Sequence, residues 1–169
     1  EMQTAVEAKV NALLSSCPLH PIRMIDFEKL VKLGRFPRFP DDSSITVPLN
    51  SIDRDNSLMI FISHCWLRGW SGADGWDGRP HPDSQNGEKY ELCSHGIEKI
   101  KQLFAAQMKK CYVWLDFGCI DQDGNPAGEL EQLDKIVECC DALFTPIVDR
   151  ESDRWEYPQG ALATYEEYR

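Results

Sequence analysis

Three apolar segments of this chain each run into residues that could meet a ligand. Leu58–Ile62 ends at Ser63-His64, Cys111–Leu115 ends at Asp116, and Ala142–Val148 carries Thr145 and ends at Asp149. In an open parallel sheet, ligands bind beyond the carboxyl ends of the strands. Parallel strands would bring these hydroxyl, imidazole and carboxylate groups onto one rim, although they lie far apart in sequence. The plainer alternative is that each strand turns polar where it reaches water.

Residues 65–88 follow the first segment. At about twenty residues this connection is long for an α/β unit, and such loops are often functional. It carries Gly69, Gly72, Gly75 and Gly78 with Trp66, Trp70 and Trp76. Glycine gives backbone freedom, and Trp offers a flat apolar face with one N–H donor. The loop could be a lid whose Trp rings stack on a nucleobase or on another protein. It could equally be an insertion that its Trp residues tie to the sheet edge.

Other patterns exclude chemistry. Asp121-Gln122-Asp123-Gly124-Asn125 opens like a calcium loop, but Pro126 and Gln132 stand where an EF-hand needs Gly and Glu. Asn125 and Pro126 read better as a helix cap and first turn. Asp116-Phe117-Gly118 lacks the Gly-rich loop and strand Lys of a kinase. No P-loop, G-x-G-x-x-G or G-x-S-x-G occurs. His64 and Cys65 are neighbours that point to opposite faces of a strand, which places them poorly as a catalytic pair. His64, Cys65, His81, Cys93 and His95 have no metal-ligand spacing, so no metal is expected.

The elements that must position these residues follow from periodicity. Residues 2–15 read as an amphipathic helix and Asp26–Leu33 as a second, with Asp26 as N-cap and Gly34 as stop. Ile45, Val47 and Leu49 alternate as an edge strand, which Pro48 suits. Leu58–Ile62 is an unbroken apolar run, as expected of a strand covered on both faces. Cys93, Ile97, Ile100, Phe104 and Met108 form one stripe of a helix over 89–109. Residues 116–128 read as a turn-rich loop. Leu130, Leu133, Ile136, Val137 and Cys140 mark another helix. The order strand–helix–strand–helix–strand makes two βαβ units. It predicts a three-layer, flavodoxin-like parallel sheet with helices on both faces. Residues 1–50 then form a helical N-terminal extension with an edge strand, and residues 51–169 form the main domain.

Bulk properties set the class. The 169 residues suffice for one domain with a real core, and the chain reads as a piece of a longer protein. A net charge of -10 repels phosphates, so nucleic acid is not an expected partner. Mean hydropathy is -0.43 with no long apolar run, so no membrane span is expected. Residues 1–10 lack the basic start and apolar centre of a signal peptide. The seven Cys are odd in number and irregular in spacing, which suits reduced thiols in a cytoplasmic protein.

Phe61-Ile62-Ser63-His64-Cys65-Trp66 resembles the opening strand motif of TIR-like domains. It is closest to the heterokaryon-incompatibility (HET) type, whose first strand ends in Ser-Tyr/His-x-Trp. Val113-Trp114-Leu115-Asp116-Phe117-Gly118-Cys119-Ile120-Asp121-Gln122 resembles that type's second signature, an aromatic-rich strand followed by Asp-x-x-Cys-Ile-Asp-Gln. Cys140-Asp141-Ala142-Leu143-Phe144 resembles the step into its third strand. The resemblance spans residues 57–149, a little over half of the chain.

The resemblance implies a flavodoxin-like TIR fold, in agreement with the strand order read from periodicity. It implies self-association, or pairing with other TIR-like domains, in immune or cell-death signalling. Some TIR-like domains cleave NAD at the nicotinamide–ribose bond with an essential Glu after the third strand, and Glu156 and Glu166 are the carboxylates in that region. NAD would then be a substrate, with no resident cofactor. Ser63 and Asp116 would hydrogen-bond ribose hydroxyls, and Trp66 or Trp76 would stack on nicotinamide or adenine. His64, Asp121 and Gln122 join them as ligand-binding candidates. A different nucleotide- or small-ligand-binding α/β domain is a further alternative.

Overall fold

A computed structural model describes residues 21–105 and 109–147. The expected helix over 2–15 and Met108, Val148, Asp149, Glu156 and Glu166 lie outside the described residues. The chain forms an α/β structure around one mixed five-stranded sheet, in the order β2-β1-β4-β3-β5. The strands are β1 (Arg23–Asp26), β2 (Thr46–Pro48), β3 (Ser57–Ile62), β4 (Lys110–Trp114) and β5 (Ala142–Phe144).

The three expected strands are parallel neighbours. Met59 faces Tyr112 and Ile60 faces Val113, while Phe61 faces Leu143 and Ile62 faces Phe144. All six residues of β3 are buried, as its unbroken apolar run requires. β5 is shorter than expected and stops at Phe144.

The sheet is not all parallel. β1 runs antiparallel to both β2 and β4, pairing Ile25 with Val113. Two of the five strands therefore come from the first fifty residues, the segment read as an extension. Met24 and Ile25 are adjacent and both fully buried. Such a strand has no alternation to reveal it. β2 takes the expected edge position, with Pro48 at its end.

Helix α1 (Phe27–Leu33) starts and stops as predicted. Asp26 accepts from the N–H groups of Glu28 and Lys29, and Gly34 ends the helix at φ 72°. Helix α2 (Glu88–Leu103) buries Cys93 and Ile97 but ends six residues earlier than expected. Ala105 adopts φ 48°, a left-handed conformation that no helix continues through. Phe104 is consequently 51% exposed and does not extend the buried stripe.

The segment after β4 is not all loop. α3 (Asp116–Cys119) is a single turn, and Gly118 allows it to approach Ile25 and Pro37 closely. Asn125 Oδ1 accepts from Ala127 N–H at 3.1 Å, the cap expected there. The following helix is split into α4 (Ala127–Leu130) and α5 (Leu133–Cys139). The core gathers Phe27 and Leu30 of α1, Cys93 and Ile97 of α2, and Ile136 and Cys139 of α5 with the strands. Each fully buried large apolar side chain stabilises the fold by about 1.5–3 kcal/mol.

Candidate functional site

β3 and β4 run side by side with Phe61 opposite Trp114. Two residues further along each strand come Ser63 and Asp116, so the parallel register alone puts them at one rim. The chain then leaves β3 through His64, Cys65 and Trp66.

Asp116 organises this rim. Its Oδ1 faces His64 Nε2 at 3.0 Å and accepts from Phe117 N–H at 2.6 Å. Its Oδ2 accepts the indole N–H of Trp66 at 2.9 Å. The His64 side chain is 2% exposed and that of Asp116 is 32% exposed. Burial pushes the Asp116 carboxyl up, but His64, Trp66 and the Phe117 N–H outweigh it and hold the pKa below the ordinary carboxylate value. His64 Nδ1 lies 3.0 Å from the carbonyl oxygen of Cys65. Both ring nitrogens thus face oxygen atoms. Phe36 stacks on His64, and Trp66 meets Phe117 edge-on at 5.3 Å.

The structure brings together His64, Trp66 and Asp116. Gln122 joins them through the backbone, donating from Nε2 to the carbonyls of Asp116 and Ile120. Ser63 stands beside them, with its N–H on the carbonyl of Phe144 at 2.9 Å, so it links β3 to β5. Trp76 lies in a turn of the long loop, where its backbone N–H donates to the Ala73 carbonyl. Asp121 turns to its own neighbourhood and accepts from the Asp123 N–H at 2.9 Å. The Asp123 carboxylate is held by Arg38.

Loop 65–88 is built, not open. Arg68 and His81 exchange two backbone hydrogen bonds of 3.0 Å. Buried Arg68 then donates from Nε to the Asp83 carbonyl and from Nη1 to the Asp77 carboxylate at 2.6 Å. The Asp83 carboxylate accepts from the N–H groups of Ser84, Lys89 and Tyr90, which anchors the loop to the start of α2. Of the loop's Trp residues, Trp66 has the tying role, whereas Trp70 is 68% exposed.

The chain matches no family model, no curated protein and no solved structure.

Among the described residues, no group of three or more His, Cys, Asp and Glu is arranged to hold a metal ion. No helix among them is long and apolar enough to cross a membrane. Among the described residues, a water-sized cavity lies between Trp114, Cys119, Gln132 and Ile136, and Asp116 does not line it. Two residues at the rim were not singled out from the sequence. Lys89 is 1% exposed and its Nζ donates to the Cys65 carbonyl. Phe117 packs between Trp66 and His81. The signal for Lys89 was its place four residues before Cys93 on the apolar stripe, where a charge must be buried.

Proposed function

We propose that this chain is a TIR/HET-like α/β domain that acts by self-association in signalling of the immune or cell-death type. The outer strand β5 carries the reading. Among the described residues it pairs with β3 alone, Leu143 within it is 57% exposed, and Ile147 three residues after it is 55% exposed. An unpaired strand edge flanked by apolar side chains is a template for another chain. The parallel order β4-β3-β5 supports the kinship suggested by the Ser-His-x-Trp and Asp-x-x-Cys-Ile-Asp-Gln motifs. The Asp116 rim supports the reading as well. Its carboxylate is occupied chiefly by the chain's own donors, which suits an ordered assembly surface better than an open reaction centre.

Light scattering across a concentration series tests this. The mass should rise with concentration, and Leu143→Lys should remain monomeric with an unchanged circular dichroism spectrum. A strict monomer at every concentration would sink the reading.

A second reading, NAD glycohydrolase, draws support from Asp116 Oδ2. That oxygen accepts the Trp66 indole N–H, and the side chain keeps 32% exposure. A ribose hydroxyl would fit there, with Ser63 beside it. The crevice beyond β3 and β5, where the strand order reverses, is where such sheets take nucleotides. Loss of nicotinamide leaves an oxocarbenium-like ribose that Glu156 or Glu166 would stabilise. Nicotinamide release from NAD decides it. No release at high protein concentration removes the enzyme, and release unaffected by either Glu156→Ala or Glu166→Ala removes those two residues.

A further inference from the structure

Loop 65–88 closes at a neck. Arg68 and His81 exchange their backbone hydrogen bonds there, and the Leu67 N–H donates to the Pro82 carbonyl at 3.2 Å. Arg68 Nε adds a bond of 2.8 Å to the Asp83 carbonyl. One further bond of the neck depends on protonation. His81 Nδ1 accepts the backbone N–H of Asp83 at 3.0 Å, and Asp83 is 2% exposed. A neutral imidazole offers that lone pair, and an imidazolium offers none. Protonation therefore takes the acceptor from a buried N–H. The Asp83 carbonyl lies 3.4 Å from Nδ1, but Arg68 already donates to it. The new charge also faces the Arg68 guanidinium. Burial, and then Arg68, hold the His81 pKa below the ordinary imidazole value, although the carboxylates of Asp83 and Asp77 act the other way. Asp83 accepts from the N–H groups of Ser84, Lys89 and Tyr90, and Asp77 from Arg68. α3 faces His81 with the uncharged ring of Phe117 at 4.9 Å, while its Asp116 carboxylate binds His64 and Trp66.

We propose that loop 65–88 is an acid-released clasp with His81 as its trigger. When His81 takes a proton, its ring stops accepting the Asp83 N–H and competes with Arg68 for the Asp83 carbonyl. The neck then opens while the sheet stays folded. In the open loop His81 titrates near its ordinary value of about 6.5. Closure is complete above that pH and is lost as pH falls through the lower value of the closed form. The clasp is independent of self-association and of NAD cleavage.

The test is amide hydrogen exchange of the whole chain, read residue by residue by NMR and corrected for the intrinsic pH dependence of exchange. Protection at the Leu67, Arg68, His81 and Asp83 amides should fall by up to roughly tenfold between about pH 7.5 and about pH 5.5, the gain of an open form titrating near 6.5 over a closed form that stays neutral. The amides of β3 and β4 should keep their protection. In His81→Asn the side-chain oxygen accepts the same N–H without titrating, so protection at the neck should not change with pH. Equal protection of the neck at both pH values in the unaltered chain would overturn the proposal. So would a fall that persists in His81→Asn, or one that β3 and β4 share equally. Should His81→Asn fail to fold, the pH at which the neck loses protection must match the ring titration of His81 in the unaltered chain, and a mismatch overturns the clasp.

Discussion

The indole N–H of Trp66 reaches the carboxylate of Asp116 at 2.9 Å, across fifty positions of chain. This bond closes the rim, because the same carboxylate also holds His64. An Asn there keeps one acceptor oxygen but turns an NH2 toward either the buried imidazole or the indole N–H, and it removes the charge. Asp116→Asn should therefore destabilise the fold by about 2 kcal/mol, the range for hydrogen bonds to a charged group. Trp66→Phe, which removes only one donor, should cost about 1 kcal/mol. Chemical denaturation measures both. Equal costs for the two would mean that His64 gains nothing from Asp116.

Acid should act in two steps. His81 accepts the Asp83 N–H on Nδ1, and burial, with Arg68 nearby, lowers its pKa in the fold. The unfolded chain then binds the proton first, so stability is complete above about pH 6.5 and declines as pH falls below it. Asp116 is also lowered in the fold. Its contribution is present above about pH 3.9 and is lost as pH falls through the lower folded value. Denaturation midpoints measured against pH should show the first decline vanish in His81→Asn and the second shrink in Asp116→Asn. A midpoint flat from pH 7 to 5 in the unaltered chain would rule out the His81 step.

Two glycines should respond to a methyl group for steric reasons. A Cβ on Gly118 would meet Pro37 Cγ and Ile25 Cδ1 at 2.8 Å and the Pro37 carbonyl at 3.2 Å. A Cβ on Gly96, in the middle of α2, would meet the Phe144 ring at 2.4 Å. Gly96→Ala also gains about 1 kcal/mol of helix propensity, which offsets part of its overpacking cost of about 1–3 kcal/mol. Gly118→Ala has backbone as well as side chains against it. It should be the more destabilising of the two by thermal melting, and the reverse order would contradict this packing.

The parallel trio was legible because its strands are apolar runs of the right length separated by helical or turn-rich stretches. Asp26, Gly34, Pro48 and Asn125 were legible because capping and edge positions need those residue types. β1 was not. Arg23–Asp26 is four residues long, is sandwiched between β2 and β4, and buries consecutive side chains. α3 was not legible either, since one turn has no period. At the rim, the motifs led to His64, Trp66 and Asp116, but nothing in the spacing showed that Trp66 would spend its N–H on Asp116. Arg68 and Asp83 were missed because a buried ion in a glycine-rich loop carries no local pattern. Their partners lie up to 15 residues away.

Arg68 should prove to be the main brace of loop 65–88. It is 6% exposed, and its guanidinium joins the Asp83 carbonyl to the Asp77 carboxylate. Arg68→Met keeps the aliphatic stem but leaves the Asp83 carbonyl without that donor. Losing a buried charge-assisted partner costs about 2–3 kcal/mol. Because the contacts are confined to the loop, most of that cost should appear as local opening and not as global unfolding. Chymotrypsin should then cut after Trp76 several-fold faster in the variant, while the denaturation midpoint moves little. Unchanged cleavage after Trp76 would mean that the backbone pairing of Arg68 with His81, which the substitution leaves intact, holds the loop without the guanidinium.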